Sequence, residues 1–113
     1  MTGKRTAHEK ALEKIALNAD VLDIPHVVSV TQEKKLFHKG RIIAEPDIIF
    51  ECSTGEVYII EYKGNGNGEL LRRAQRQLEM AVYWYGKYQN LDPDKIHTMI
   101  ISGDDPRYRD LFK

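Results

Sequence analysis

Apolar positions recur along this chain with two different periods. Leu12, Ile15, Ala16, Ala19 and Leu22 return at helical spacing and predict a helix over residues 6–22, with Pro25 just past its end. Residues 26–32 alternate loosely, as a strand does. Residues 34–41 are basic and close on Lys39-Gly40-Arg41, which has the chemistry of a turn. Ile42-Ile43-Ala44 reads either as a short strand or as the approach to the next one. Residues 48–52 and 57–63 are rich in β-branched and aromatic side chains and predict two strands. Ser53-Thr54-Gly55-Glu56 between them suits a hairpin connection. Beyond a glycine–asparagine loop at 64–68, Leu71, Ala74, Leu78, Val82 and Tyr85 form the apolar stripe of a long helix over 69–89. A last strand at 96–102, a Gly-Asp-Asp-Pro break and a short terminal helix complete the order α, β, β, β, α, β, α. There are no repeats, and no linker divides the chain.

Length and composition narrow this picture. A chain of 113 residues is expected to be one domain, 1–113, with a single real core. The formal net charge is zero, which argues against a uniformly basic nucleic-acid binder and leaves room for local patches. The lone Cys52 cannot close an internal disulfide or supply a four-cysteine metal site, and in an apolar strand it reads as core. His8, His26, His38 and His97 show no helical pairing, so a zinc site is not expected. No apolar run approaches the ~18 residues of a membrane span. Met1-Thr2-Gly3-Lys4-Arg5 lacks the apolar segment of a signal peptide. The expectation is a soluble, cytoplasmic protein.

The candidate chemistry sits on the predicted hairpin. Residues two apart in a strand share a face, so Val57, Ile59, Glu61 and Lys63 point the same way, and Val57 and Ile59 suggest that the face is half-buried. Asp47 opens the preceding strand, and antiparallel pairing would set it across from Glu61 or Lys63. Two carboxylates and an amine are the parts of metal-assisted phosphodiester hydrolysis. A hard cation such as Mg²⁺ takes one or two carboxylates plus water, and an amine can hold the attacking water or offset developing charge. The Tyr62 carbonyl, between Glu61 and Lys63, is a further candidate ligand. The same spacing also fits a plain cross-strand ion pair, worth ~0.2–1 kcal/mol.

Pro46-Asp47 followed by Glu61-Tyr62-Lys63 resembles the PD-(D/E)XK nuclease superfamily, which includes restriction endonucleases and archaeal Holliday-junction resolvases. The resemblance spans residues 6–102, and the family's α-β-β-β-α-β core matches the order read above. It implies an α/β, restriction-endonuclease-like fold, a central mixed β-sheet flanked by helices. It also implies a Mg²⁺- (or Mn²⁺-) dependent DNA nuclease, endonucleolytic and selective for DNA structure, with Asp47 and Glu61 on the metal and Lys63 at the water. Many such nucleases add a glutamate from the first helix. Glu9 is that candidate, although Thr6-Ala7-His8-Glu9 is equally a capping box. Gln77 matches a supporting glutamine on the helix after the motif strand, with Gln75 as its rival. The tyrosine that exonuclease-like members carry four residues later is Ala81 here, so that branch does not fit.

The basic residues Lys34, Lys35, Lys39 and Arg41, and Arg72 and Arg73 at the start of the long helix, are candidate contacts to nucleic-acid backbone. Solvated faces or edge-strand protection would explain them as well. The glycine loop lacks the spacing of a phosphate loop. Tyr83 and Trp84 lie off the apolar stripe and mark a candidate partner surface. A homodimer is implied by the likeness to resolvases, and a larger partner protein would equally supply specificity to so small a chain. These residues do not distinguish DNA from RNA. The alternative function is a catalytically inactive nuclease fold that serves as a nucleic-acid-binding or assembly subunit. An unrelated small α/β domain is the third.

Overall fold

The computed structural model describes residues 5–112. Its elements run α1 (Ala7–Ala16), β1 (Val27–Gln32), β2 (Leu36–His38), β3 (Arg41–Ala44), β4 (Ile48–Cys52), β5 (Val57–Lys63), α2 (Gly68–Tyr88) and β6 (Ile96–Ser102), with 3₁₀ turns at Pro93–Lys95 and Pro106–Tyr108. Four strands form a sheet in the order β1-β4-β5-β6. The β1–β4 and β4–β5 pairs are antiparallel and β5–β6 is parallel, so the sheet is mixed, with α2 as the crossover between its parallel strands.

Alternation along the strands buries both faces. Ile48, Phe50, Cys52 and Ile60 pack with Leu12 and Ile15 of α1. Ile49, Val57 and Ile59 pack with Leu78, Ala81 and Tyr85 of α2. Cys52 is a buried free thiol, as its strand position predicts. On α2 the stripe is Ala74, Leu78, Ala81 and Tyr85. Leu71 and Val82 sit at its margins, half-buried. No helix among the described residues is long and apolar enough to cross a membrane.

The structure departs from the sequence expectation in three places. First, α1 ends at Ala16, not at residue 22. Asn18 donates through Nδ2 to the Lys14 carbonyl (2.6 Å), taking up a helix-terminal acceptor. Successive turns then carry the chain through Val21, Leu22 and Ile24. Leu22 reaches the core all the same, from a turn and not from a helix, while Leu17 is left 82% exposed.

Second, the basic segment is not a mere approach. β2 and β3 form their own two-stranded ribbon outside the main sheet. Lys39 (φ +50°) and Gly40 (φ +77°) are its two turn residues, and positive φ at both is what a type I′ hairpin requires. Leu36 and Ala44 anchor the ribbon in the α2-side core. Third, the terminal helix is only the 3₁₀ turn at Pro106–Tyr108, capped by Asp105, from which Tyr108, Leu111 and Phe112 fold back onto the α1-side core.

Phe50 is fully buried between sheet and α1. Phe50→Ala should therefore cost ~3–5 kcal/mol in urea unfolding. Leu17→Ala should change stability by no more than ~0.5 kcal/mol. A large loss at Leu17 would contradict the early end of α1.

Candidate active site

The antiparallel register of β4 and β5 pairs Ile48 with Ile60. One step further, Asp47 and Glu61 stand side by side, and there the backbone ladder gives way to side chains. The Asp47 amide donates to Glu61 Oε2 at 2.7 Å. The Tyr62 amide donates to Asp47 Oδ2, also at 2.7 Å. Each carboxylate thus caps the backbone of the other's strand, and the two acids are locked together by their own hairpin.

Other elements fix Asp47 from around it. The Glu33 amide, just past β1, donates to the Asp47 carbonyl (2.9 Å). Gln77 of α2 accepts from the Glu45 amide through Oε1 (2.9 Å), which pins the Glu45-Pro46-Asp47 segment against the helix. Pro46 is fully buried and has no amide to satisfy. From α1, His8 Nε2 lies 3.4 Å from Asp47 Oδ1, and its ring stands 5.8 Å from that of Tyr62.

Among the described residues Glu61 is the only buried charged side chain, 3% exposed. Burial pushes its pKa up to about 7, and the neighbouring Asp47 charge adds to the rise. The hydrogen bond from the Asp47 amide and the charge of Lys63 pull it back. Lys63 is half-buried two residues on, and among the described residues it forms no ion pair. Its carbonyl accepts from the Gly103 amide at 2.7 Å. A side chain at Gly103 would collide with the Tyr62 hydroxyl and stand 3.0 Å from the Gly64 carbonyl, so close packing behind Lys63 requires glycine there.

Glu9 keeps apart from this pair. Its amide donates to Thr6 Oγ1 (3.0 Å), and its carboxylate accepts from the same hydroxyl (3.2 Å), an arrangement that caps α1. Among the described residues no three His, Cys, Asp or Glu side chains gather in a way that could hold a metal, so Glu9 adds no third acid to Asp47 and Glu61. Tyr62 meets Asp47 through its amide, and in an extended strand the carbonyl of the same residue points to the same edge, so it stays a candidate ligand. Gln75 faces Glu79 at 3.5 Å, whereas Gln77 reaches the motif. His8 is the contact that sequence reasoning passed over. Its signal was present, because it stands four residues before Leu12 and seven before Ile15, in line with the buried stripe of α1.

The basic candidates fall on two surfaces. Arg73 pairs with Glu69 (3.0 Å) and, with Ile43, Arg76, Gln77 and Met80, lines a cleft of about 420 Å³ that ends at the glutamine holding Glu45. Arg72 is exposed beside it. Lys34, Lys35, Lys39 and Arg41 belong instead to the β2–β3 ribbon and the residues that lead into it.

The donor set suits a hard divalent cation. Burial and the adjacent Asp47 charge both disfavour the ionised Glu61, and a cation would offset that cost. Asp47 Oδ2 and Glu61 Oε2 accept from amides, which leaves the other oxygen of each for a metal. One or two carboxylates with water are what Mg²⁺ or Mn²⁺ takes.

A mixed sheet with a helix on each face and a carboxylate pair at the end of its central hairpin is a nuclease-like fold. The chain is similar in structure to a repair endonuclease from Pyrococcus abyssi, with a TM-score of 0.59 and 13% identity. The match covers 90% of this chain and 40% of that one, so the chain spans well under half of that protein's length. At this identity the likeness is one of fold. No protein-family model matches the chain, and no curated protein matches it in sequence.

Glu61 makes the site visible in stability. Its folded pKa of about 7 lies above the ordinary 4.5, so the native state binds the extra proton. Stability is then fully present below pH ~4.5 and lost as pH rises towards ~7, by ~3 kcal/mol in total. Urea unfolding in EDTA across this range should show that loss in the wild type. Glu61→Gln keeps an acceptor for the Asp47 amide and should flatten the profile. Parallel profiles for the two proteins would contradict the assignment.

Proposed function

We propose that this protein is a metal-dependent nuclease that hydrolyses phosphodiester bonds in DNA, cutting internally and selecting DNA structure over sequence. The observation that carries the reading is the interlocked Asp47–Glu61 pair with Lys63 two residues along the same strand face. The fold shared with a repair endonuclease supports DNA as the substrate.

In this reading Asp47 and Glu61 hold Mg²⁺ or Mn²⁺. When bound, the ion polarises a phosphate oxygen and lowers the pKa of the attacking water. Lys63, unpaired among the described residues, orients that water and offsets the charge that develops on the phosphate. With its pKa raised to about 7, Glu61 is only partly ionised at neutral pH without a cation, so acid pH should oppose metal loading. Gln77 acts through the backbone: it holds Glu45, and so fixes where Asp47 emerges. His8 restrains the oxygen of Asp47 that no amide uses. Glu9 serves as the cap of α1. A second copy of the chain or a larger partner would supply whatever selectivity the single chain lacks.

Among branched, flapped, single-stranded and duplex DNA, cleavage with Mg²⁺ or Mn²⁺ should differ between structures, and every substrate should stay intact in EDTA. Lys63→Ala and Asp47→Ala should each lower the rate ~10²-fold or more. Activity that survives both substitutions would place the chemistry elsewhere. Binding without cleavage of any substrate would instead favour a non-catalytic subunit built on the same fold.

A further inference from the structure

Outside the site, the most unusual surface lies where the β2–β3 ribbon meets the C-terminal half of α2. Phe37, Ile42, Tyr83 and Tyr88 are each between 44% and 52% exposed there, although all are large and apolar or aromatic. Phe37 and Ile42 are cross-strand partners. His38 joins the two elements, with its ring 5.8 Å from those of both Tyr83 and Tyr88 and its Nδ1 2.5 Å from the Tyr88 hydroxyl. Trp84 lies beneath, donating through Nε1 to the Phe37 carbonyl at 3.0 Å. The aromatic side chains are therefore held in place by one another and by the backbone.

The two segments that carry the patch are basic, with Glu33, Glu45 and Glu79 just outside them. Residues 34–44 contain Lys34, Lys35, Lys39 and Arg41 and no acid, and residues 80–90 contain Lys87 and no acid. Since the formal net charge of the whole chain is zero, these five basic residues leave a net of minus five on everything else. Two of them sit over rings, with Lys34 Nζ 5.5 Å from Trp84 and Lys87 Nζ 6.0 Å from Tyr88.

We propose that this surface is a stacking platform for unpaired nucleotides, with Phe37, Tyr83 and Tyr88 taking bases and Lys34, Lys39, Arg41 and Lys87 taking phosphates. Exposed aromatic faces among cations are what single-stranded nucleic acid binds, through base stacking and backbone attraction together. A duplex hides the faces of its bases, so the platform discriminates against it. A protein partner fits less well, because lysines are depleted from the centres of protein interfaces.

The position of the platform gives it a purpose. Tyr83 lies six residues beyond Gln77 on α2, ~9 Å along the helix axis. Between them Met80 lines the cleft that it shares with Arg73, Arg76 and Gln77, and Gln77 accepts from the Glu45 amide. At ~3.4 Å per stacked base, the gap corresponds to about three nucleotides. The purpose, though not the binding itself, rests on the nuclease reading: the chain would hold an unpaired strand a few nucleotides from the bond it cuts.

Fluorescence anisotropy in EDTA separates binding from cleavage. A labelled oligothymidine should bind the wild type more tightly than a blunt hairpin duplex does, and should change the Trp84 emission. Phe37→Ala and Tyr83→Ala should each weaken oligothymidine binding about 10-fold with the salt dependence unchanged, whereas Tyr83→Phe should retain it. Lys39→Ala and Arg41→Ala should reduce the salt dependence. The inference is overturned if the alanine variants, folded by circular dichroism, bind as the wild type does, or if duplex binds equally well. It is also overturned if the chain is a dimer that those variants disperse, since a second copy would then occupy the surface. Cleavage assays run alongside keep the two readings apart. Lys63-dependent cleavage by a wild type whose oligothymidine binding does not depend on Phe37 or Tyr83 refutes the platform alone, and stacking without cleavage refutes the nuclease alone.

Discussion

A buried carboxylate and a half-buried one set side by side repel each other, and this molecule holds them together by making each indispensable to the backbone. The Asp47 carboxylate accepts the Tyr62 amide and the Glu61 carboxylate accepts the Asp47 amide. Charge-assisted bonds of this kind are stronger than the neutral ladder bonds they replace. They extend the β4–β5 pairing by one step at the point where the strands would otherwise part. Burial first, and the Asp47 charge after it, appear in the raised pKa of Glu61. Removing one carboxylate would leave the other strand's amide without its acceptor, so structure and candidate chemistry depend on the same two side chains.

The surrounding architecture supplies restraint to that pair from every side. The sheet is covered by α1 on one face and α2 on the other. α1 contributes His8, α2 contributes Gln77, the end of β1 contributes the Glu33 amide, and Gly103 permits the close packing behind Lys63. None of these groups needs to touch a substrate to matter, because a site built from strand ends is positioned only as well as the elements that hold those ends. The β2–β3 ribbon stands outside this frame and has its own charge and aromatic character.

Much of this was legible in the chain. The strands at 48–52 and 57–63 and the long helix were placed within a residue, because their periods are strong and their boundaries carry glycine, asparagine or a turn sequence. Strand parity correctly put Glu61 and Lys63 on the face of Val57 and Ile59. The length of α1 was misread because Ala19 and Leu22 continue the apolar period after the helix has stopped. Asn18 ends it with a side-chain bond that periodicity does not register. The turn at Lys39-Gly40 and the short strand after it were legible, whereas β2 was missed because a three-residue strand is too short to show a period.

What the sequence by itself determined is the hairpin, its facing and the identities of the three polar residues on it, because period-two alternation and antiparallel pairing leave little freedom in a connection this short. What only the tertiary structure decided is which distant side chains complete the site. His8, and not the adjacent Glu9, reaches Asp47, and Gln77, and not Gln75, reaches Glu45. On a helix, adjacent residues point ~100° apart, and a pair two apart diverges further. The choice between neighbours is made by how the helix rotates as it packs on the sheet, a rigid-body fact that no local pattern contains.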